Sequence, residues 1–121
     1  MVGGFAGATP RPADKPAAQA IVAAMAGGLV AGDLGTGLSA TERTRAVEAE
    51  YKALEYTGVG SMTGWGDKST GRYGEVSPGQ AYRVGSQDCR QYTHTVYLAG
   101  GSRSARGTAC RNADGSWTPL T

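Results

Sequence analysis

Cys89 and Cys110 are the two cysteines of this chain, and they bracket the β-rich run CRQYTHTVYLA, a Gly-Gly and a second run, SARGTACR. Thr93, Thr95, Val96 and Tyr97 favour extended backbone, and the glycines supply a turn, so the segment reads as a β-hairpin. A tight turn about Ala99-Gly100 sets opposite each other residues whose numbers sum to 199, and Cys89 and Cys110 form such a pair. Directly opposed residues in an antiparallel pair have Cα atoms about 4.5 or 5.5 Å apart, within reach of a disulfide. A turn centred on Gly100-Gly101 would set Asn112 opposite Cys89 and make the bridge diagonal. Either register leaves the sulfurs close. A zinc site needs about four ligands, and His94 is the only histidine. No CxxC motif suggests redox exchange. The pair therefore reads as a structural staple formed in an oxidising compartment.

Upstream, the chain divides by composition. Residues 1–38 are rich in glycine and alanine, with Pro10, Pro12 and Pro16 near the front. Pro16 suits a first helical turn, and AAQAIVAAMAG after it reads as a helix carrying Ile21, Val22 and Met25. GGLVAGDLGTG interrupts that period, because each interior glycine costs a helix about 1 kcal/mol. Residues 1–38 are thus expected to be a flexible or partly helical segment, and residues 39–121 the folded domain. Ser39-Ala40-Thr41-Glu42 is a capping box. Val47, Tyr51 and Leu54 follow at helical spacing, widened by Ala46 and Ala53, with Glu48 and Lys52 paired on the other side. Gly58 offers a left-handed stop. Beyond it, SMTGW, RYGEVS and QAYRV read as short strands, and SWTPL as an edge strand because Pro119 has no N–H to donate. The expected fold is α+β: a small antiparallel sheet of about four to five short strands packed on one main helix, stapled by one disulfide.

A net charge of +2 is too small to argue for nucleic acid, and an oxidising compartment argues against it. Residues 58–121 nevertheless carry seven basic and four acidic side chains, and six of the seven are arginines, which suit carboxylate or phosphate partners. A solvated sheet face would explain them equally well. No run reaches the ~20 apolar residues of a membrane span. No charged region followed by an apolar one opens the chain, so an export signal is expected upstream. For catalysis, His94 is the only available triad base, and strand alternation puts it on a face with Arg90, Tyr92 and Val96, as a half-buried cross-strand neighbour. Asp67, Glu75 and Asp114 adjoin glycines and Asp88 opens a strand, so a glycosidase carboxylate pair is not indicated. No catalytic residue, metal or cofactor is expected. The candidate binding surface is Trp65 and Tyr73, on the loop WGDKSTGRYG, together with Arg90 and Arg106.

WGDKSTGRYGEV has the form W-x-x-x-x-x-G-x-x-G-x-V, and it is followed by CRQYT and GTACRNADGSW. With GGLVAGDLGTGL and TERTRAVEAEYKALEY before it, this set resembles the bacterial 17 kDa surface antigen family of outer-membrane lipoproteins, from about Gly27 to Leu120. The resemblance implies an exported, lipid-anchored envelope protein whose small helix-plus-sheet domain faces the periplasm or the cell surface. It maps Cys89 and Cys110 as a structural pair and carries no catalytic chemistry onto this chain. The family's anchor is an acylated N-terminal cysteine, and no cysteine precedes Cys89 here, so membrane association is expected only through an anchor outside this sequence. The glycine segment is also shorter and more interrupted than the family's usual two hydrophobic helices.

The expected function is that of a non-enzymatic cell-envelope surface antigen domain with a structural or partner-binding role. Its partner would be an envelope protein, peptidoglycan or lipopolysaccharide. The alternative is a secreted inhibitor module that inserts Trp65 or Tyr73 into a protease or lysozyme cleft. A third reading is anion binding through Arg83, Arg90, Arg103, Arg106 and Arg111. A thiol-alkylating reagent is expected to add no mass to the native protein, and Cys89→Ser to lower its unfolding free energy by ~3 kcal/mol. Alkylation without reductant, or an unchanged melting temperature, would refute the staple.

Overall fold

Ser39 begins the one long helix among the described residues. Its hydroxyl accepts from the Glu42 N–H, the Glu42 carboxylate accepts from the Ser39 N–H, and helix α1 runs Ala40–Tyr56. Arg72 also reaches the Glu42 carboxylate through Nε and Nη2, at 2.8 and 2.7 Å. These bonds, with the Ser39 amide, hold the Glu42 carboxyl down to about 2. The computed structural model describes residues 22–120. Residues 17–21 of the helix expected after Pro16 lie outside the described residues, and within them only Val22 and Ala23 are helical before residues 24–27 turn.

The C-terminus of α1 is closed differently from expectation. Thr57 is extended, Gly58 is not left-handed, and the Thr57 hydroxyl donates back to the Ala53 carbonyl. Arg90 supplies the rest of the cap. Its Nη1 donates to the carbonyls of Leu54 and Thr57, each at 2.7 Å, while Nε donates to Gly79 at 2.8 Å. A cation at a helix C-terminus also meets the negative end of the helix dipole. Glu48 and Lys52 lie on the exposed side of α1 as expected, without forming an ion pair.

Six strands follow: β1 Thr63–Asp67, β2 Arg72–Pro78, β3 Tyr82–Val84, β4 Gln87–Leu98, β5 Gly101–Arg111 and β6 Trp117–Leu120. They form one antiparallel sheet in the order β1-β2-β4-β5-β6, with β3 beside the first residues of β4. The α+β class is as expected, with one strand more than the upper end of the expected number. The long hairpin turns at Ala99-Gly100, both at positive φ, which suits the twist of a two-residue hairpin. This register sets Cys89 opposite Cys110, and the two sulfurs are bonded, with Cα atoms 4.0 Å apart. β6 is an edge strand carrying Pro119.

One face of the sheet meets α1. Inward on β4 point Arg90, Tyr92, His94 and Val96, all buried, against Ala46, Val47, Ala49, Glu50, Ala53 and Leu54 of the helix. Tyr51 is only half-buried. Residue 38 is not a packing boundary. Met25, Val30, Leu34 and Leu38 are buried in the same core, Val30 and Leu34 on two 3-10 turns, Leu29–Ala31 and Asp33–Gly35, with Met25 before them and Leu38 after. Two arginines hold these turns by their carbonyls: Arg43 donates to Val30, Gly35 and Leu38, and Arg103 to Leu34 and Thr36. Gly32 is extended between the turns and Thr36 is non-helical after them, so it is this broken path, not a continuous helix, that brings Val30, Leu34 and Leu38 to the core.

Arg90→Leu should destabilise the protein by about 3 kcal/mol, because it strands buried carbonyls of α1 and of Gly79. Arg90→Lys should recover only part of this, since one ammonium cannot bridge both sites. An unchanged urea midpoint for Arg90→Leu would show that the cap carries no stability.

Candidate functional site

Four elements converge on a buried polar chain beneath the sheet. Glu50, on α1, sits between Val47 and Leu54 in the apolar stripe, and His94 sits inward on the central strand; both side chains are fully buried. Glu50 Oε2 lies 2.6 Å from His94 Nδ1, and the indole Nε1–H of Trp65 donates to His94 Nε2 at 2.8 Å. Because Trp65 can only donate, Nε2 must accept, and a neutral ring then carries its proton on Nδ1 and donates it to Glu50. The Leu29 N–H donates to both Glu50 oxygens, at 3.1 and 3.2 Å. Two glycines permit these approaches. Gly28, at φ 61, brings its backbone so close that a Cβ would fall 2.3 Å from Glu50 Oε1. Gly74, the cross-strand partner of Trp65, leaves room where a Cβ would fall 2.4 Å from the indole nitrogen.

A glutamate orienting a histidine is the arrangement that activates a nucleophile in a hydrolase. Here the second imidazole nitrogen is occupied by an indole N–H, no hydroxyl or thiol is bonded to it, and the pair is closed to solvent. Tyr92 is the nearest further chemistry: its phenol is held well above its ordinary range by burial and then by the Glu50 carboxylate. The Tyr92 hydroxyl has no hydrogen-bond partner among the described residues. The chain is therefore built to hold α1, the N-terminal turns and the sheet together. A hollow of about 310 Å³ between these turns and α1 is walled by Val22, Val30, Ala31 and Val47, and its one cation, Arg43, is bound to carbonyls.

The pleat divides the residues expected to make one binding surface. Trp65 is buried in the core, and Arg90 is buried on the end of α1. Tyr73 and Arg106 lie on the opposite, outward face, opposed to Tyr97 and Thr93 of β4. The inhibitor loop thereby loses Trp65 as an anchor. It is the β1–β2 hairpin, whose tip is pinned by Asp67 accepting from the Ser69 N–H and hydroxyl. The arginines are similarly committed: Arg72 pairs with Glu42, Arg83 with Asp88 and Arg111 with Glu55, while Arg90 and Arg103 hold carbonyls. Among the described residues Lys68 and Arg106 are the basic side chains after residue 58 with neither a carboxylate within ion-pair distance nor a hydrogen bond to a carbonyl.

What remains open is the outward face. Tyr73 stacks on Tyr97 with ring centroids 4.5 Å apart and planes 13° from parallel, and the Lys68 ammonium lies 5.8 Å from the Tyr73 ring. Thr95 and Ser104 share a hydrogen bond between hydroxyls across β4 and β5. Thr93, Ser102 and Arg106 lie on the same face, with Glu75 and Ser77 of β2 beside Thr95 and Thr93, and no element of the described chain covers it.

A family model described as 17 kDa outer membrane surface antigen matches residues 52–118. The chain belongs to this family. It is 40% identical over 85 residues to a 17 kDa surface antigen of Rickettsia bellii, covering 69% of this chain and 54% of that protein. To the 17 kDa surface antigen of Rickettsia conorii it is 39% identical over 82 residues, covering 67% and 52%. The corresponding Rickettsia felis protein is 38% identical over 82 residues. The chain thus spans about half the length of the curated relatives it matches. No solved structure matches it. Membership places the chain among cell-envelope surface antigens, in keeping with the resemblance carried by CRQYT and GTACRNADGSW. The matched region holds both cysteines, His94 and the whole outward face.

The buried Glu50–His94 pair was not read from the sequence, although a signal existed: Glu50 falls on the helix stripe and His94 on the inward strand face. Glu50→Ala should destabilise by about 3–5 kcal/mol, because it leaves the His94 and Leu29 N–H groups buried without an acceptor. Glu50→Gln, which keeps a carbonyl oxygen, should cost less. Nitrogen-15 spectra of the ring at neutral pH should show Nε2 unprotonated and Nδ1 protonated. The reverse tautomer would refute the assignment.

Proposed function

We propose that this chain is a non-enzymatic domain of an outer-membrane surface antigen, and that it docks an envelope component through its outward sheet face. The observation that supports this most is the division of the sheet: one face is sealed on α1, and the other is open and carries the tyrosine stack, hydroxyls and an unpaired arginine. The Glu50–His94 pair, the one acid–base pair with a hydrolase-like arrangement, is closed to solvent and bonded at both ends. A partner-binding role accounts for an exposed polar face on a stapled domain, and an envelope location accounts for the disulfide. The partner is an envelope protein, peptidoglycan or lipopolysaccharide.

The test is site-specific photo-crosslinking in the intact envelope. A crosslinker at Ser104, on the outward face, should give a defined adduct with an envelope protein or glycan. One at Glu48, on the exposed side of α1, should give none. Equal yields from both positions, or none from either, would overturn the docking reading.

A further inference from the structure

Between the tips of the β1–β2 and β4–β5 hairpins lies a shallow cleft of about 420 Å³, walled by Lys68, Tyr73, Tyr97 and Ser102 and floored by glycine backbone from both tips. We propose that this cleft binds an acidic pyranose, a sugar ring bearing a carboxylate or phosphate. The proposal rests on the docking reading above and names the chemistry of its ligand.

The argument starts from the aromatic pair. Tyr73 is engaged by Lys68 and by the Tyr97 ring, whereas the Tyr97 ring meets no second aromatic or cationic group among the described residues. One face of Tyr97 is therefore available, beside Ser102, its opposed residue on β5. A pyranose ring offers a patch of C–H groups that stacks on such a face and a rim of hydroxyls that needs donors and acceptors around it. Ser102 supplies a hydroxyl, and Gly100 and Gly101 supply backbone groups with no side chain to hold the sugar away. An aliphatic ligand would leave these polar groups unmatched.

Charge selects among sugars. Lys68 forms no ion pair among the described residues, and no carboxylate lines the cleft. A carboxylate or phosphate on the ring would therefore meet an uncompensated ammonium three hydrogen-bond donors strong. The cleft is also pre-formed. Asp67 and Thr70 fix the first tip by hydrogen bonds within the turn, and the left-handed Ala99-Gly100 pair fixes the second. Little ordering is then needed on binding, which favours affinity at a small site.

The experiment follows amide shifts in nitrogen-15-labelled protein titrated with three soluble probes: a muramic-acid-containing cell-wall disaccharide, a diphosphorylated glucosamine disaccharide and neutral chitobiose. One or both acidic probes should shift the amides of Gly71, Tyr97, Gly101 and Ser102, more strongly than chitobiose and less so at high salt. Which acidic probe binds distinguishes a cell-wall source from a lipopolysaccharide source. Tyr97→Ala should weaken binding about tenfold. Lys68→Gln, at an exposed position with no fold to lose, should weaken the acidic probes about two- to fivefold and leave chitobiose unchanged. Shifts on other faces, or equal affinity in both variants, would overturn the proposal. A protein adduct at Ser104 with no probe shifting these amides would remove the sugar and keep the docking reading. Loss of that adduct with the probes still binding would do the opposite.

Discussion

Glu50, His94, Trp65 and the Leu29 amide form one hydrogen-bonded chain, and its members come from α1, β4, β1 and the N-terminal turns. Burying a carboxylate costs several kcal/mol, and here two donors, the His94 ring and the Leu29 amide, offset that cost rather than reverse it. The chain therefore contributes uniqueness more than net stability. A slip of one residue along β4 would turn His94 to the outward face and leave Glu50 buried against nothing. A displaced N-terminal turn would remove the Leu29 donor. The small apolar residues around it, Ala46, Ala49 and Ala53, fill space in almost any register, so the polar chain is what selects one.

The arginines do related work at the periphery. Arg43 and Arg103 hold carbonyls of turns that have no sheet or long helix to accept them, and Arg90 does so for the end of α1. A planar guanidinium can span two or three such oxygens at once, which an ammonium cannot. Glycine-rich turns expose many backbone carbonyls and few side chains, and Arg43 and Arg103 answer that need here. With the other arginines after residue 58 engaged, Lys68 and Arg106 are the cations of the sheet region that a partner could use.

Much of this was legible beforehand because it rests on local rules. The capping box at Ser39, the hairpin turn at Ala99-Gly100 and the resulting opposition of Cys89 and Cys110 follow from residue type and spacing alone. Pro119 on an edge strand follows in the same way. What was not legible depends on contacts distant in the chain. Gly58 reads as a helix stop, but Arg90, more than thirty residues away, does that work. Residues 1–38 read as flexible or partly helical because glycine breaks a helix, while the packing of Val30, Leu34 and Leu38 depends on contacts that composition does not display. Trp65 and Tyr73 lie in one exposed-looking loop sequence, yet strand alternation sends them to opposite faces. Alternation was available, but it needs the strand limits, which a glycine-rich hairpin blurs.

The open side of the sheet has to hold its shape without a second layer, and its cross-strand pairs are suited to that. The disulfide sits on this side at the far end of the β4–β5 hairpin, the Thr95–Ser104 hydroxyl pair at its middle and the Tyr73–Tyr97 stack near its tip. Each links neighbouring strands on the face that α1 does not touch, and such pairs stiffen a ladder directly. None of them adds a large apolar patch, so the face stays open to water without inviting sheet-to-sheet association. Rigidity and polarity on an uncovered face are what a docking surface requires. The same pairs that tie the strands together thus keep the cleft at its tip in a fixed shape, ready for a ligand.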